Sequence, residues 1–176
     1  MLRQLATTEL NRPTAAVFST QAKRTICLVL DNVRSLANVG AAFRTADAFA
    51  VEKIWLCGIT GTPPHKELLK TALGATETVV WEHAPDTAAL LRSLKANHYR
   101  PIAVELAEGA QLLHQLAFDP TEKLALVFGH EVFGVSPEAL AECSAAVEIP
   151  QAGTKHSLNV SVAIGIVLWE LVRRAA

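Results

Sequence analysis

The segment Thr25-Ile26-Cys27-Leu28-Val29-Leu30-Asp31 decides the fold class of this chain. It is short, largely apolar and rich in residues that favour strands, which is typical of a strand buried on both faces of a sheet. A polar loop begins at Asn32, and Val39–Ala50 then shows the apolar spacing of a helix. An apolar strand followed by a helix indicates one unit of an α/β fold.

The same alternation recurs along the rest of the chain. Length and the content of Val, Ile and Phe predict six strands: Thr25–Asp31, Lys53–Gly58, Glu77–Glu82, Pro101–Leu106, Lys123–Phe128 and Ala145–Ile149. Helical periodicity predicts five helices: Val39–Ala50, His65–Leu73, Asp86–Asn97, Pro137–Cys143 and Leu158–Arg174. Asp86 and Ser136 are candidate N-caps. We therefore predict an α/β fold with a mostly parallel six-stranded sheet and helices on both faces.

The composition indicates one globular domain. The chain has 176 residues, of which 51% are hydrophobic and 19% charged, which is enough for one well-buried core and too little for two ordinary domains. We expect a short N-terminal extension over residues 1–24 and the domain itself over residues 25–176. The net charge of −1 argues against a broad basic surface for nucleic acid, so any such contact must be local.

Neither export nor membrane insertion is expected. Met1–Leu5 contains polar residues where a secretory signal needs an apolar stretch, and the apolar run Val162–Trp169 is shorter than the ~20 residues that a membrane span requires. Cys27 and Cys57 lie in apolar runs, where a reduced thiol behaves as a small hydrophobic group. We therefore expect a cytoplasmic protein with no membrane contact.

The last predicted helix is apolar on nearly every side. A surface helix of a monomer would show one apolar face only. Part of this helix is therefore expected to lie against a second copy of the chain; the alternative is a helix buried wholly within one subunit.

Ligands of α/β sheets bind at the carboxyl ends of the strands, where three loops contain chemically useful side chains. The loop after Asp31 leads to Asn38, a candidate N-cap, with Arg34 and Arg44 on either side. A helix N-terminus flanked by arginines suits a phosphate. The alternative for Arg44 is a surface ion pair with Asp47.

The second loop places Glu131 between Gly129 and Gly134, directly after a predicted strand. Two glycines at a strand end indicate a tight loop whose backbone approaches a ligand. His130-Glu131 lacks the second histidine of a zinc-protease motif, because Gly134 occupies that position. The six histidines are scattered, and we expect no metal site. The alternative for Glu131 is a helix-cap or ion-pair role.

The third loop leaves a strand at Ile149, turns at Gly153 and enters the last helix with Ser157 as the predicted N-cap. Asn159 and Ser161 are polar residues at the start of an apolar helix, and they need either backbone or ligand partners. The spacing of a phosphate-binding loop is absent, as are those of a dinucleotide site and of a nucleophile elbow.

Taken in order, the three loops resemble the three motifs of the SpoU (TrmH-like) branch of the SPOUT RNA 2′-O-ribose methyltransferases. The matching residues are Asn38-x-Gly40-x3-Arg44, Gly129-x-Glu131-x2-Gly134, and Ile149-Pro150 with Ser157-Leu158-Asn159-Val160-Ser161. The resemblance spans residues 25–174. It implies a C-terminal trefoil knot, a homodimer, RNA as the partner and S-adenosyl-L-methionine bound in the knot.

The resemblance also implies site residues at the matching positions. Cofactor contacts would come from Val104, Glu105, Leu106, Phe128, Gly129, Ile149, Ser157 and Leu158. The catalytic residues would be Asn38, Arg44, Glu131, Ser157 and Asn159. His130 and Gln151 stand where other side chains are expected in the family, which bears on substrate fit more than on chemistry.

The implied reaction is attack by a ribose 2′-oxygen on the sulfonium methyl group. Because a guanidinium has a pKa above ~12 and keeps its protons, Arg44 is expected to steer a phosphate and stabilise the developing alkoxide rather than act as a base. Glu131 would orient Arg44, while Ser157 and Asn159 would fix the hydroxyl.

Two other functions stay open at this point: a catalytically inactive knotted protein that binds RNA, and a small-molecule enzyme unrelated to RNA. The first predicts decay of the catalytic positions, and all five are present. The sequence does not distinguish tRNA from rRNA. Residues 1–24, with a predicted short helix, are expected to contact RNA or the dimer partner.

Overall fold

The computed structural model of the chain describes residues 2–175 and contains one seven-stranded sheet. The strands are β1 (Arg24–Asp31), β2 (Val51–Cys57), β3 (Trp81–Ala84), β4 (Tyr99–Val104), β5 (Gln111–Leu112), β6 (Lys123–Phe128) and β7 (Ala145–Glu148). The α-helices are α1 (Ala15–Thr20), α2 (Leu36–Ala48), α3 (Lys66–Ala72), α4 (Thr87–Ala96), α5 (Pro137–Ala141) and α6 (Val160–Arg174).

The strand order is β3-β2-β1-β6-β4-β7-β5, and every pair of neighbouring strands is parallel. The α/β class and the parallel sheet are therefore confirmed. The predicted count of six strands is wrong, because Gln111–Leu112 adds a seventh at the edge beside β7. A two-residue strand leaves no periodic pattern from which it could be predicted.

Helices cover both faces of the sheet, and the side chains of β1 show this directly. Ile26, Leu28 and Leu30 belong to one apolar cluster, which also contains residues of α2, α3 and α6. Cys27 and Val29 point to the other side and join a second cluster with α4 and α5. Burial on both faces explains why the segment is apolar at almost every position.

The thiols of Cys27 and Cys57 behave as predicted from their apolar neighbours. Both are buried and unpaired, and burial raises the pKa of each thiol to about 12. They therefore remain protonated and act as small apolar groups.

Two boundary predictions and one cap prediction are wrong for local reasons. The expected strand Glu77–Glu82 is a 3₁₀ turn at Ala75–Glu77, and the ladder starts only where the amide of Ile54 donates to the carbonyl of Val80 at 2.9 Å. Helix α2 begins at Leu36, earlier than predicted. Its N-cap is Ser35, whose hydroxyl accepts from the amide of Asn38 at 3.3 Å, so Asn38 lies inside the first turn.

Helix α4 is capped as predicted: the carboxylate of Asp86 accepts a hydrogen bond from the amide of Ala89 at 2.9 Å. Pro137 occupies the first turn of α5, as its fixed φ favours. In the second turn of α2, Gly40 makes room for a neighbouring helix: a Cβ there would lie 2.1 Å from the hydroxyl oxygen of Thr71 in α3. The absence of a side chain at Gly40 therefore allows α2 and α3 to pack closely.

Strand β7 lies inside the sheet, between β4 and β5, although it follows both in the chain. Residues 105–110, which connect β4 to β5, therefore pass across the end of β7. The amide of Glu105 donates to the carbonyl of Val147 at 3.0 Å and ties this connection to the strand it crosses. No helix within residues 2–175 is long and apolar enough to span a membrane.

Candidate active site

Three of the loops that follow the strands meet at the carboxyl edge of the sheet. They are residues 32–35 after β1, residues 129–136 after β6 and residues 149–159 after β7. Strands β1 and β6 are neighbours, paired Leu30 with Phe128 near their ends, so their loops emerge side by side. These are the three loops that the sequence singled out.

The carboxylate of Glu131 joins the second loop to the first. One oxygen accepts from the amide of Arg34 at 3.0 Å; the other accepts from the amide of Ser35 at 2.9 Å and the side-chain amide of Asn38 at 3.0 Å. Partial burial would raise the pKa of Glu131, but the bonds from Ser35, Arg34 and Asn38 outweigh it and hold the pKa below its ordinary value. Glu131 is therefore held as an ionised acceptor.

Asn159 joins the third loop to the same group. Its side-chain nitrogen donates to the side-chain oxygen of Asn38 at 3.1 Å. Its oxygen accepts from the amide of Ser161 at 2.9 Å and from the Ser161 hydroxyl at 2.6 Å, which makes Asn159 the N-cap of α6. The predicted cap, Ser157, is wrong because the helix begins at Val160.

The loop after β6 closes on itself. His130 and Gly134 exchange two backbone hydrogen bonds of 2.9 Å each. A Cβ at Gly129 would lie 2.0 Å from the carbonyl carbon of Gly134 and 2.1 Å from the nitrogen of Val135, so only glycine allows this approach. Glu105 holds the C-terminal end of this loop, because its carboxylate accepts a hydrogen bond from the amide of Val135 at 2.8 Å.

A cavity of about 430 Å³ opens beside these loops, a size typical of small-molecule sites. All eight residues predicted to contact a cofactor line it: Val104, Glu105, Leu106, Phe128, Gly129, Ile149, Ser157 and Leu158. Glu131 and Asn159 also line it. The network of Glu131, Asn38 and Asn159 therefore borders the cavity.

Arg44 stands apart from the other predicted catalytic residues. It is exposed on α2 and does not line the cavity, and its side chain makes no hydrogen bond or ion pair within residues 2–175. The alternative ion pair with Asp47 is wrong, because that carboxylate accepts from the hydroxyl of Thr78 at 2.6 Å. Glu131 does not orient Arg44 either; its oxygens are bonded to the loop that precedes α2.

Sequence reasoning missed several residues of the cavity wall, including Glu148 and His156, and gave His130 no cofactor role. The only feature of these residues that could have indicated a role in the cavity is their position, since each is next to or near a predicted site residue. The lining contains three glutamates, Glu105, Glu131 and Glu148, and neither lysine nor arginine. Such a wall favours a cationic ligand. The part of the chain that the structure describes holds no cluster of three or more metal-ligating side chains.

Comparison with known proteins identifies relatives. Residues 25–169 match the model of the SpoU rRNA Methylase family. The chain is 33% identical to a 23S rRNA (guanosine-2′-O-)-methyltransferase of Haemophilus influenzae, over 98% of this chain and 69% of the relative. It is 35% identical to a tRNA (guanosine(18)-2′-O)-methyltransferase of Thermus thermophilus, over 85% of this chain and 75% of the relative.

Solved structures of RNA-modifying enzymes also superpose on this chain. An rRNA methyltransferase from Sinorhizobium meliloti with bound AdoMet superposes with a TM-score of 0.80 and 29% identity. The match covers 93% of this chain and 60% of that one. A TrmH/SpoU tRNA modifying enzyme of A. aeolicus superposes with a TM-score of 0.79 and 29% identity, over 89% of this chain and 78% of that one.

Replacement of Glu131 by glutamine tests whether the ionised carboxylate stabilises the three loops. Because the folded-state pKa lies below the ordinary 4.5, the stabilisation is complete above that pH and is lost as the pH falls through the folded-state pKa. Urea unfolding should show that Glu131→Gln lowers the free energy of unfolding near neutral pH, by at most about 1 kcal/mol at so exposed a site. This loss should disappear on acidification.

Glu138→Gln, on the exposed start of α5, is the matched control for loss of one charge. A loss of stability at Glu131 that stays constant from neutral to acidic pH, or that equals the loss at Glu138, would contradict this role of the carboxylate.

Proposed function

The chain belongs to the SpoU rRNA Methylase family, and we propose that it transfers the methyl group of S-adenosylmethionine to the 2′-hydroxyl of a ribose in RNA. The observation with most weight is the network of Glu131, Asn38 and Asn159 at the border of the cavity. It unites all three motif loops beside a space that fits a small molecule. Relatives that methylate guanosine 2′-oxygens in 23S rRNA and in tRNA support the same reaction.

The cavity fits S-adenosylmethionine in its chemistry. Apolar side chains such as Leu106, Ile149 and Leu158 offer a surface for a flat purine, and the carboxylates of Glu105 and Glu148 suit a ligand with positive charge. When bound, this molecule supplies an electrophilic methyl group on a sulfonium ion. Ser157 and Asn159 line the cavity, and we assign them the orientation of the ribose hydroxyl.

Arg44 is assigned to the RNA backbone. Its side chain is exposed on α2, six residues beyond the first-turn residue Asn38, and is free to take a phosphate. A guanidinium keeps its protons, so it stabilises a developing alkoxide through charge and does not remove the proton. We assign an rRNA or a tRNA as the substrate, the two classes named for the relatives, and accordingly a cytoplasmic location.

Arg44→Ala should lower the rate of methyl transfer by about 100-fold or more, because it removes one electrostatic contact of the transition state. The affinity for S-adenosylmethionine, measured by calorimetry, should change by less than about threefold, because Arg44 lies outside the cavity wall. Arg92→Ala is the control: Arg92 is an exposed arginine of α4 that pairs with Glu142 at 3.0 Å.

Lost cofactor binding in Arg44→Ala, or an undiminished rate, would contradict the role given to Arg44. A wild-type protein that binds no S-adenosylmethionine would contradict the proposed function itself. A wild-type protein that binds it and RNA without transferring a methyl group would favour the inactive RNA-binding alternative.

The chain is further proposed to form a homodimer through α6. Val162, Ile166 and Trp169 are 49%, 37% and 58% exposed and recur at the spacing of one helix face. A tryptophan exposed among aliphatic neighbours is typical of an interface. The N-terminal extension, residues 1–24, contains α1, which has no buried residue, and we assign this segment to contacts with the partner or with RNA.

Light scattering should give the wild type twice the chain mass of 18.9 kDa. Trp169→Glu should weaken the dimer by about 30-fold or more, since truncation of a tryptophan anchor typically costs about 2 kcal/mol or more. Leu69→Glu, at a 39% exposed leucine of α3, should not affect it. A monomeric wild type, or equal effects of the two substitutions, would contradict an interface at α6.

A C-terminal trefoil knot within residues 25–176 is proposed as well. The insertion of β7 between β4 and β5 supports it, because the chain after β7 leaves at the edge that residues 105–110 cross. When the two ends are pulled apart in an optical trap, a tightened knot should leave the extension shorter than that of a fully extended chain of 176 residues. An extension of full length would exclude the knot.

A further inference from the structure

The tip of the loop after β6 exposes two large apolar side chains beside the site. Val132 is 75% exposed and Phe133 is 83% exposed. Neither belongs to an apolar cluster of the core. Exposure of a phenylalanine costs solvation free energy that a polar residue at a loop tip would not cost. A residue of this kind next to a functional cavity indicates a binding contact.

The phenylalanine is held in place. The backbone bonds between His130 and Gly134 close the five-residue tip. The ring of His130 also holds the tip: its Nδ1 accepts hydrogen bonds from the amide of Val132 at 3.0 Å and from the amide of Phe133 at 3.4 Å. The His130 and Phe133 rings are 4.8 Å apart between centroids, so one side of the phenylalanine is supported.

The same five residues contain Glu131, whose carboxylate is bonded to the loop before α2. The ring of Phe133 therefore stands at a fixed place beside the network that borders the cavity. The face of α6 proposed for the dimer lies on a different element. The contact that covers Phe133 is thus expected to belong to the molecule that enters this site.

We propose that Phe133 stacks against an unpaired base of the RNA substrate, at or next to the nucleotide whose ribose is methylated; this inference rests on the proposed function. Proteins that read single-stranded RNA place splayed bases on aromatic side chains. A preordered ring loses little conformational entropy on binding. The 16 lysines and arginines are balanced by 17 aspartates and glutamates, so the chain as a whole has no net attraction for the phosphates, and stacking contributes a larger share of the RNA affinity.

The test is methyl transfer from labelled S-adenosylmethionine to RNA isolated from a strain that lacks the protein. Phe133→Ala should raise the KM for RNA by about 5- to 150-fold, the range that corresponds to loss of one stacked base. Phe133→Tyr and Phe133→Trp should stay near the wild-type value. Phe133→Leu, which remains apolar but has no ring, should resemble the alanine variant. Cofactor affinity and thermal stability should not change in any of the four.

Val80→Ala is the control, because Val80 is a 57% exposed apolar residue that does not line the cavity. A leucine variant with wild-type RNA affinity would overturn stacking in favour of a general apolar contact. A Phe133→Ala protein that turns monomeric would overturn it in favour of a second copy of the chain. An unchanged KM in Phe133→Ala, with an active wild type, would overturn the inference alone; a wild type inactive on all RNA would overturn it together with the proposed function.

Discussion

Every strand pairing in the sheet is parallel, and the site depends on this constraint. Parallel strands deliver all of their following loops to one edge. The pairing of β1 with β6 brings residues 32–35 beside residues 129–136. The pairing of β4 with β7, with Val104 opposite Val147, brings Glu105 beside the start of residues 149–159. Residues as far apart in the chain as Asn38 and Asn159, which are 121 positions apart, thereby form one site.

At this edge the backbone leaves the sheet, and its amides need acceptors other than strand neighbours. Three carboxylates supply them. Buried Asp31 accepts from the amide of Ser136 at 2.7 Å, Glu105 from the amide of Val135 at 2.8 Å, and Glu131 from two amides of the loop after β1. The loop after β6 is fixed from both sides in this way. A site fixed before its ligands arrive requires less reorganisation during reaction.

The sequence was sufficient for the fold class because strands buried on both faces are apolar at consecutive positions, as in β1 and β6. It did not show β5, whose two residues are placed by the neighbouring β7. It placed the N-caps of α2 and α6 wrongly, because Ser35, Asn38, Ser157 and Asn159 are all acceptable cap residues and only tertiary contacts select among them. Nor did it show that Phe133 faces solvent, since the sequence of a loop does not say which of its apolar side chains the rest of the fold covers.

The structure brings Asn38, Glu131 and Asn159 together through hydrogen bonds, yet the partners of Glu131 differ from the expected one. The sequence paired Glu131 with Arg44, whereas the structure pairs it with two backbone amides and Asn38. Side chains distant in sequence cannot be matched from spacing alone. The most direct test of the account is methylation in vitro of RNA from a strain lacking the protein, followed by digestion to nucleosides and mass spectrometry. The account predicts a nucleoside methylated on its ribose 2′-oxygen; a methyl group on a base, or no methylated nucleoside at all, would contradict it.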